Sequence, residues 1–371
     1  MKALDTFREV SRDPYEYARQ WKKRTGGKVV GYFCSYTVEE IIQAAGALPF
    51  RIFGTRGSIT LAESHLQSYC CSLVRGGLED ALAGNLEFLE GTVFPHTCDS
   101  IQRLSDIWRL NAGLPFHIDI ILPVMMKGTS ARDYMSDVIR TFHGDIGKAL
   151  GVAIDEKALA EAVALANRIR ASLGELYRIR SENPSALPGS DLWAVMKSAM
   201  VMDRRELAGL LDGLIADLKE TTPGKEKWKR LVLAGGICSH PDIYPILERA
   251  GAAVVWDELC TGTRYFEGPV PETGDPLDAL ATRYFERITC PAKHRSIEER
   301  GRSLVDIVKG HNARGVIFLL LKFCDPHSFD YPYMKERLDA ESIPSMLLEL
   351  EEQPLPEGQL RTRFESFIEM L

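Results

Sequence analysis

The chain of 371 residues holds eight cysteines, yet no two of them form a CxxC pair. Zinc fingers, zinc ribbons and ferredoxin-type cluster runs are therefore unsupported. A basic surplus is also missing: 45 Lys and Arg stand against 52 Asp and Glu, a formal net charge of −7. Phosphate neutralisation needs the opposite balance, so a dedicated nucleic-acid binder is excluded and the expected partners are small molecules or proteins. No run approaches the roughly 20 apolar residues of a membrane span. The opening MKALDTFREVSRDPYEYARQWKK lacks the apolar stretch of a signal peptide. Gly235-Gly236 fits neither GxGxxG nor Walker A and reads as the pair a tight turn needs, so no ATP site follows from it. Together these absences predict a cytoplasmic protein with no membrane or nucleic-acid partner, whose thiols stay reduced and serve metal or redox chemistry rather than disulfides.

What is present reads as two α/β units. With 45% hydrophobic residues the chain can bury two cores of ordinary domain size. Residues 28–33 form a short apolar strand ending at Cys34, and the order Thr37-Val38-Glu39-Glu40 predicts a capping box opening a helix. Strands follow at 48–53, 91–95 and 116–124, with the helix SIQRLSDIWRL after Cys98. The same alternation returns at 230–234, 252–256 and 315–321, each strand running into a loop that carries Cys238, Cys260 or Cys324. QAAGALPFRIF and ERAGAAVVWDE share the order helix end, glycine, strand, which points to two similar halves. Alternating strand and helix predicts doubly wound parallel sheets. DEKALAEAVALANRIRASLGELYRIRSE and DRRELAGLLDGLIADLKE read as amphipathic packing helices between the halves. The expected organisation is an N-terminal helical segment (1–27), a first α/β domain (28–130), a helical region (131–225) and a second α/β domain (226–371). The basic run from Lys225 to Arg230 reads as a solvated entry to the next strand, with an anion or CoA phosphate contact as the lesser alternative.

Five cysteines, Cys34, Cys98, Cys238, Cys260 and Cys324, thus fall just past the carboxyl ends of predicted strands, where open α/β sheets bind ligands. A free cysteine is commonly a small buried hydrophobe. That reading is kept for Cys290 in ITCPAKH, whereas the polar loops HTCDS and KFCDPHS favour a ligand role for Cys98 and Cys324. Cys70 and Cys71 sit side by side in SYCCSLVRGG, a stretch that reads as helix, where neighbouring side chains point about 100° apart. His65, His96, His240 and His327 lie on the same loops, each read as a hydrogen-bonding residue or a proton carrier.

GYFCSYTVEEIIQAAGALPFRIFG, QSYCCSLVRGGLE, FPHTCDSIQRLSDIW and LLLKFCDPHS, in that order, resemble the 2-hydroxyacyl-CoA dehydratase and benzoyl-CoA reductase family, from about Lys28 to the C-terminus. The resemblance implies two flavodoxin-like α/β domains with an inserted helical region, and a [4Fe–4S] cluster in the interdomain cleft. Carried over, its ligands would be Cys71, Cys98 and Cys324, leaving one iron open to an exogenous ligand. It also implies a homologous second subunit or second copy, an acyl-CoA substrate and an ATP-dependent iron–sulfur activator. That activator delivers a low-potential electron to the thioester of a dehydratase or to the ring of an aryl substrate. Tyr36, His65, Gln67, Ser68 and Tyr69 are candidates for hydrogen bonds to sulfur or substrate, or ordinary surface residues; Cys34 is a wall of the cleft. A second branch of the family implies a double-cubane [8Fe–9S] cluster across a dimer, reducing small molecules. A non-catalytic bilobed binding protein or electron-relay subunit is the reading from other classes.

Overall fold

The computed structural model describes residues 1–371 apart from 56, 223, 225–226, 241, 288–289 and 352–355. The expected boundary at 225/226 and the first residue of the basic run, Lys225, lie outside the described residues. Eight described strands form two parallel sheets of four: β1 (Val29–Tyr32), β2 (Leu48–Arg51), β3 (Gly91–Pro95) and β4 (Phe116–Ile120) in the order β2-β1-β3-β4, and β5 (Lys229–Gly235), β6 (Ala252–Glu258), β7 (Gly315–Leu321) and β8 (Ser345–Leu350) in the order β6-β5-β7-β8. The two orders are the same, and each is the flavodoxin-like 2-1-3-4 arrangement. Parallel strands covered on both faces are apolar throughout, and every residue of β1, β3 and β7 is buried.

Between the sheets run long helices, among them Glu156–Glu182 and Arg204–Lys219. Their starts are fixed by carboxylates that satisfy free amides: Asp155 accepts from Ala158 N, and Asp203 from Arg205 N and Glu206 N. One apolar core joins both sheets to these helices. A second covers the other face of the first sheet and draws on the helices Thr129–Leu150 and Pro276–Glu286, so a segment late in the chain returns to the first lobe. Among the described residues no helix is long and apolar enough to cross a membrane.

Two local expectations fail. Thr37 does not cap the helix Glu39–Ala44: Val38 stands at that position with no side-chain bond. Glu40, buried beside cations, accepts from Arg170 and Tyr284. The stretch SYCCSLVRGG is helical only from Ser72, residues 68–70 forming a turn, so the two cysteines are not consecutive helix residues. The Gly235-Gly236 turn is as expected. Gly235 has φ of 139°, and a Cβ there would lie 2.0 Å from Leu319 O. Only glycine permits that approach of β5 to β7.

Candidate functional site

Each of the three cysteines singled out by the resemblance is the N-cap of a helix: Cys71 for Ser72–Leu82, Cys98 for Asp99–Asn111 and Cys324 for Asp325–Ala340. Cys98 follows β3 and Cys324 follows β7, the strands beside the point where each sheet reverses direction. Three helix N-termini, each bearing a partial positive charge, are thus carried by the loops that hold the thiols, an arrangement that favours anionic sulfur. Local sequence drives each turn. Pro326 is pre-set for the first helical turn, and Phe323, at φ 65°, bends the chain sharply out of β7. Phe33, Phe94 and Trp108 pack as an aromatic triad with centroids 4.9 to 5.5 Å apart, tying β1 and β3 to the helix that Cys98 caps.

The three thiols feel one another. Burial pushes Cys98 up to about 12, and the charge of Cys71 adds to the rise. Burial raises Cys324 well above an ordinary thiol, with Cys71 and Cys98 next. Burial likewise raises Cys71. No side-chain hydrogen bond closes any of the three caps. The amides of Val74, Ile101 and His327 nevertheless pull the thiols part of the way back down. Negative charge on three neighbouring sulfurs would repel, and a cationic metal core is what would let them ionise together. Among the described residues no three His, Cys, Asp or Glu side chains are disposed to share a single metal ion. A cubane asks something else of its ligands, since each thiolate sits on a different iron. The donor set fits such a cluster.

Three further cysteines face the same space. Burial and then the charge of Cys260 push Cys290 up to about 11; Arg264 opposes the rise and Cys34 adds to it. Arg264 donates to Cys260 Sγ at 3.3 Å and lies 3.2 Å from Glu258. Lys293 is buried, donates to Leu122 O at 3.3 Å and feels the charges of Cys290, Cys34 and Cys98. Cys98 in turn feels Cys34 and Cys290, and Cys324 feels Cys260. Six of the eight thiols are therefore linked by electrostatic coupling, Cys71, Cys98 and Cys324 with Cys34, Cys260 and Cys290. Cys290 packs against the second apolar core, as read from the sequence, and it is also coupled electrostatically to Cys260 and Cys34. Cys238 leaves the set: it is buried against Tyr244 and donates to His240 O at 3.7 Å.

The framework holding these loops is ionic and buried. Glu258 stands between Arg264 and Arg300, and Arg300 also pairs with Asp330 of the helix that Cys324 caps. Arg51, at the end of β2, donates to Cys260 O at 3.0 Å, and Arg287 donates to Ser35 O and Arg264 O. None of these cations was marked by the sequence, since partners far apart in the chain give an arginine no local signature. Tyr36 is buried beneath the Arg287 guanidinium, 4.7 Å from its ring centre, and feels Cys290 and Cys34. His65, Gln67, Ser68 and Tyr69 are exposed on the turn before Cys71. His96 bonds Asp119 at 2.9 Å, His240 bonds Glu351 O at 3.0 Å, and burial holds His327 neutral.

Comparison with known proteins converges on one family. The chain is 28% identical over 370 residues to the (R)-phenyllactyl-CoA dehydratase beta subunit of Clostridium sporogenes, covering 100% of this chain and 99% of that one. It is 26% identical to the (R)-2-hydroxyglutaryl-CoA dehydratase subunit beta of Acidaminococcus fermentans, covering 99% and 98%. To a benzoyl-CoA reductase subunit of Thauera aromatica it is 28% identical, covering 88% and 86%. The family model for the 2-hydroxyglutaryl-CoA dehydratase D-component matches residues 34–371, and the chain belongs to that family.

Proposed function

We propose that this chain is the iron–sulfur subunit of a 2-hydroxyacyl-CoA dehydratase or benzoyl-CoA reductase type of enzyme, with a [4Fe–4S] cluster held by Cys71, Cys98 and Cys324. The observation that carries the reading is that three cysteines, each at the N-cap of a helix and two of them following equivalent strands of the two sheets, are coupled to one another electrostatically. When bound, such a cluster supplies single-electron reduction, with one iron free of protein sulfur. The electron would come from an ATP-dependent iron–sulfur activator, and the substrate would be an acyl-CoA or aryl-CoA thioester. The chain's own part is to hold three sulfurs on rigid helix ends, to keep water from them by burial, and to place the Tyr36 hydroxyl near Cys34 and Cys290. His65, Gln67 and Ser68 stand at the exposed side, open to substrate or to a companion subunit. Exposed Tyr69, Phe323, Phe329 and Tyr333 flank Cys70, Cys71 and Cys324 in sequence, and apolar surface of this kind supports a protein partner over this face.

A second reading has an observation of its own. Cys34, Cys260 and Cys290 give the cleft a second set of three thiols, enough for the second half of a double-cubane cluster within one chain. Iron content of anaerobically purified protein separates the two. About four irons per chain favours the first reading, and about eight, lost in part by Cys290→Ser, the second. An electron paramagnetic resonance spectrum of the reduced protein that shifts on adding an acyl-CoA marks a substrate-binding subunit. One that does not shift marks an electron relay and sinks the catalytic assignment.

A further inference from the structure

At the opposite edge of the second sheet, the start of β5, the turn after the helix Ile297–Gly310 and the start of β7 form an open groove of about 720 Å³, lined by Lys227, Trp228, Lys229, Arg230, Lys309 and Arg314 among others. Five of these six are cations, and no carboxylate lines the groove among the described residues. Lys309 is paired with Glu341 at 2.7 Å. Lys227, Lys229 and Arg314 have no ion pair among the described residues. Arg230 directs its donors at neutral oxygens, His311 O at 2.8 Å, Ser181 O at 2.8 Å and Ser181 Oγ at 3.2 Å. Burial lowers its pKa, and no acid pushes it back. Trp228 is fixed on the wall by its indole N–H to Ser185 Oγ at 3.1 Å. In a chain of net charge −7, such a one-signed concavity is a local construction rather than a consequence of composition.

We propose that this groove binds a small diphosphate-bearing anion, inorganic pyrophosphate or a nucleoside diphosphate. Phosphate oxygens would accept from Lys227, Lys229 and Arg314, whose fork and point charges suit that geometry. The site is separate from the thiols: β7 begins at the groove and ends before Cys324, and a seven-residue strand is roughly 20 Å long. The inference does not depend on the cluster.

The test is calorimetric titration of the anaerobically purified full chain with inorganic pyrophosphate and, separately, with ADP at low salt. Expected is saturable binding of one molecule per chain, weakened at least tenfold in the double variant Lys229→Glu with Arg314→Glu. A control pair of equal charge change, Arg109→Glu with Lys157→Glu, should stay within twofold of wild type. Should the first pair lower the melting temperature, Lys227→Gln with Arg314→Gln replaces it. ADP binding tighter than pyrophosphate, and losing that advantage in Trp228→Ala, identifies a nucleotide; equal binding identifies the phosphates alone. No saturation with either probe, or equal weakening in the control pair, overturns the proposal.

Discussion

Glu267 carries a pH signature that reaches the neutral range. Burial lifts its carboxyl from 4.5 to about 7, with the charges of Asp257 and Glu258 adding to the rise. In the unfolded chain the group ionises near 4.5, so between that value and about 7 the folded state binds the extra proton. Stability therefore falls as pH rises across that window, by on the order of 3 kcal/mol, and levels off above it. Asp257, lifted to about 6 by burial, acts in the same sense. Melting temperatures from pH 5 to 8 should decline more steeply for wild type than for Glu267→Gln; parallel slopes would remove Glu267 from the explanation. At this scale the sequence was legible where chemistry is local. Polar loops marked Cys98 and Cys324, whereas Cys290, Arg264 and Lys293 gain their meaning only from groups hundreds of positions away or on other elements.

Elements were read best where their pattern is pure. β3 and β7 have the bounds expected from GTVFP and GVIFLLL, because every residue of each is buried. β8 went unread: SMLLEL lies at a sheet edge, half-buried, and its mixed pattern gives no strand period. The capping box failed because Val38, not Thr37, stands at the N-cap, with Glu40 drawn into a tertiary ion pair. Two substitutions test how the elements position the site. Trp108→Ala removes the buried ring, 1% exposed, that holds the helix of Cys98 to β1 and β3. It should cost about 3–5 kcal/mol in denaturant unfolding and lower iron retention with it. Gly235→Ala forces a Cβ onto Leu319 O and should cost at least about 1–3 kcal/mol. Unchanged midpoints in both would mean that these contacts do not hold the sheet edges where the loops begin.

At the scale of the whole molecule, two sheets share one strand order, and the thiols that follow β3 and β7 come close enough to be coupled electrostatically. Exposed aromatic side chains accompany them. Phe329 and Tyr333 lie four positions apart on the helix that Cys324 caps, at 75% and 60% exposure. A partner covering this face would shield both the apolar surface and the sulfur. Phe329→Glu with Tyr333→Glu should reduce the native mass measured by light scattering, and an unchanged assembly would place the partner elsewhere. The central claim, that Cys71, Cys98 and Cys324 hold iron, is tested most directly by iron per chain in anaerobically purified wild type, Cys98→Ser, Cys324→Ser and Cys238→Ser. Expected is a content of about four or more in wild type and in Cys238→Ser, with most of it lost in the other two. Iron-free wild type, or equal iron in all four proteins, would contradict the claim.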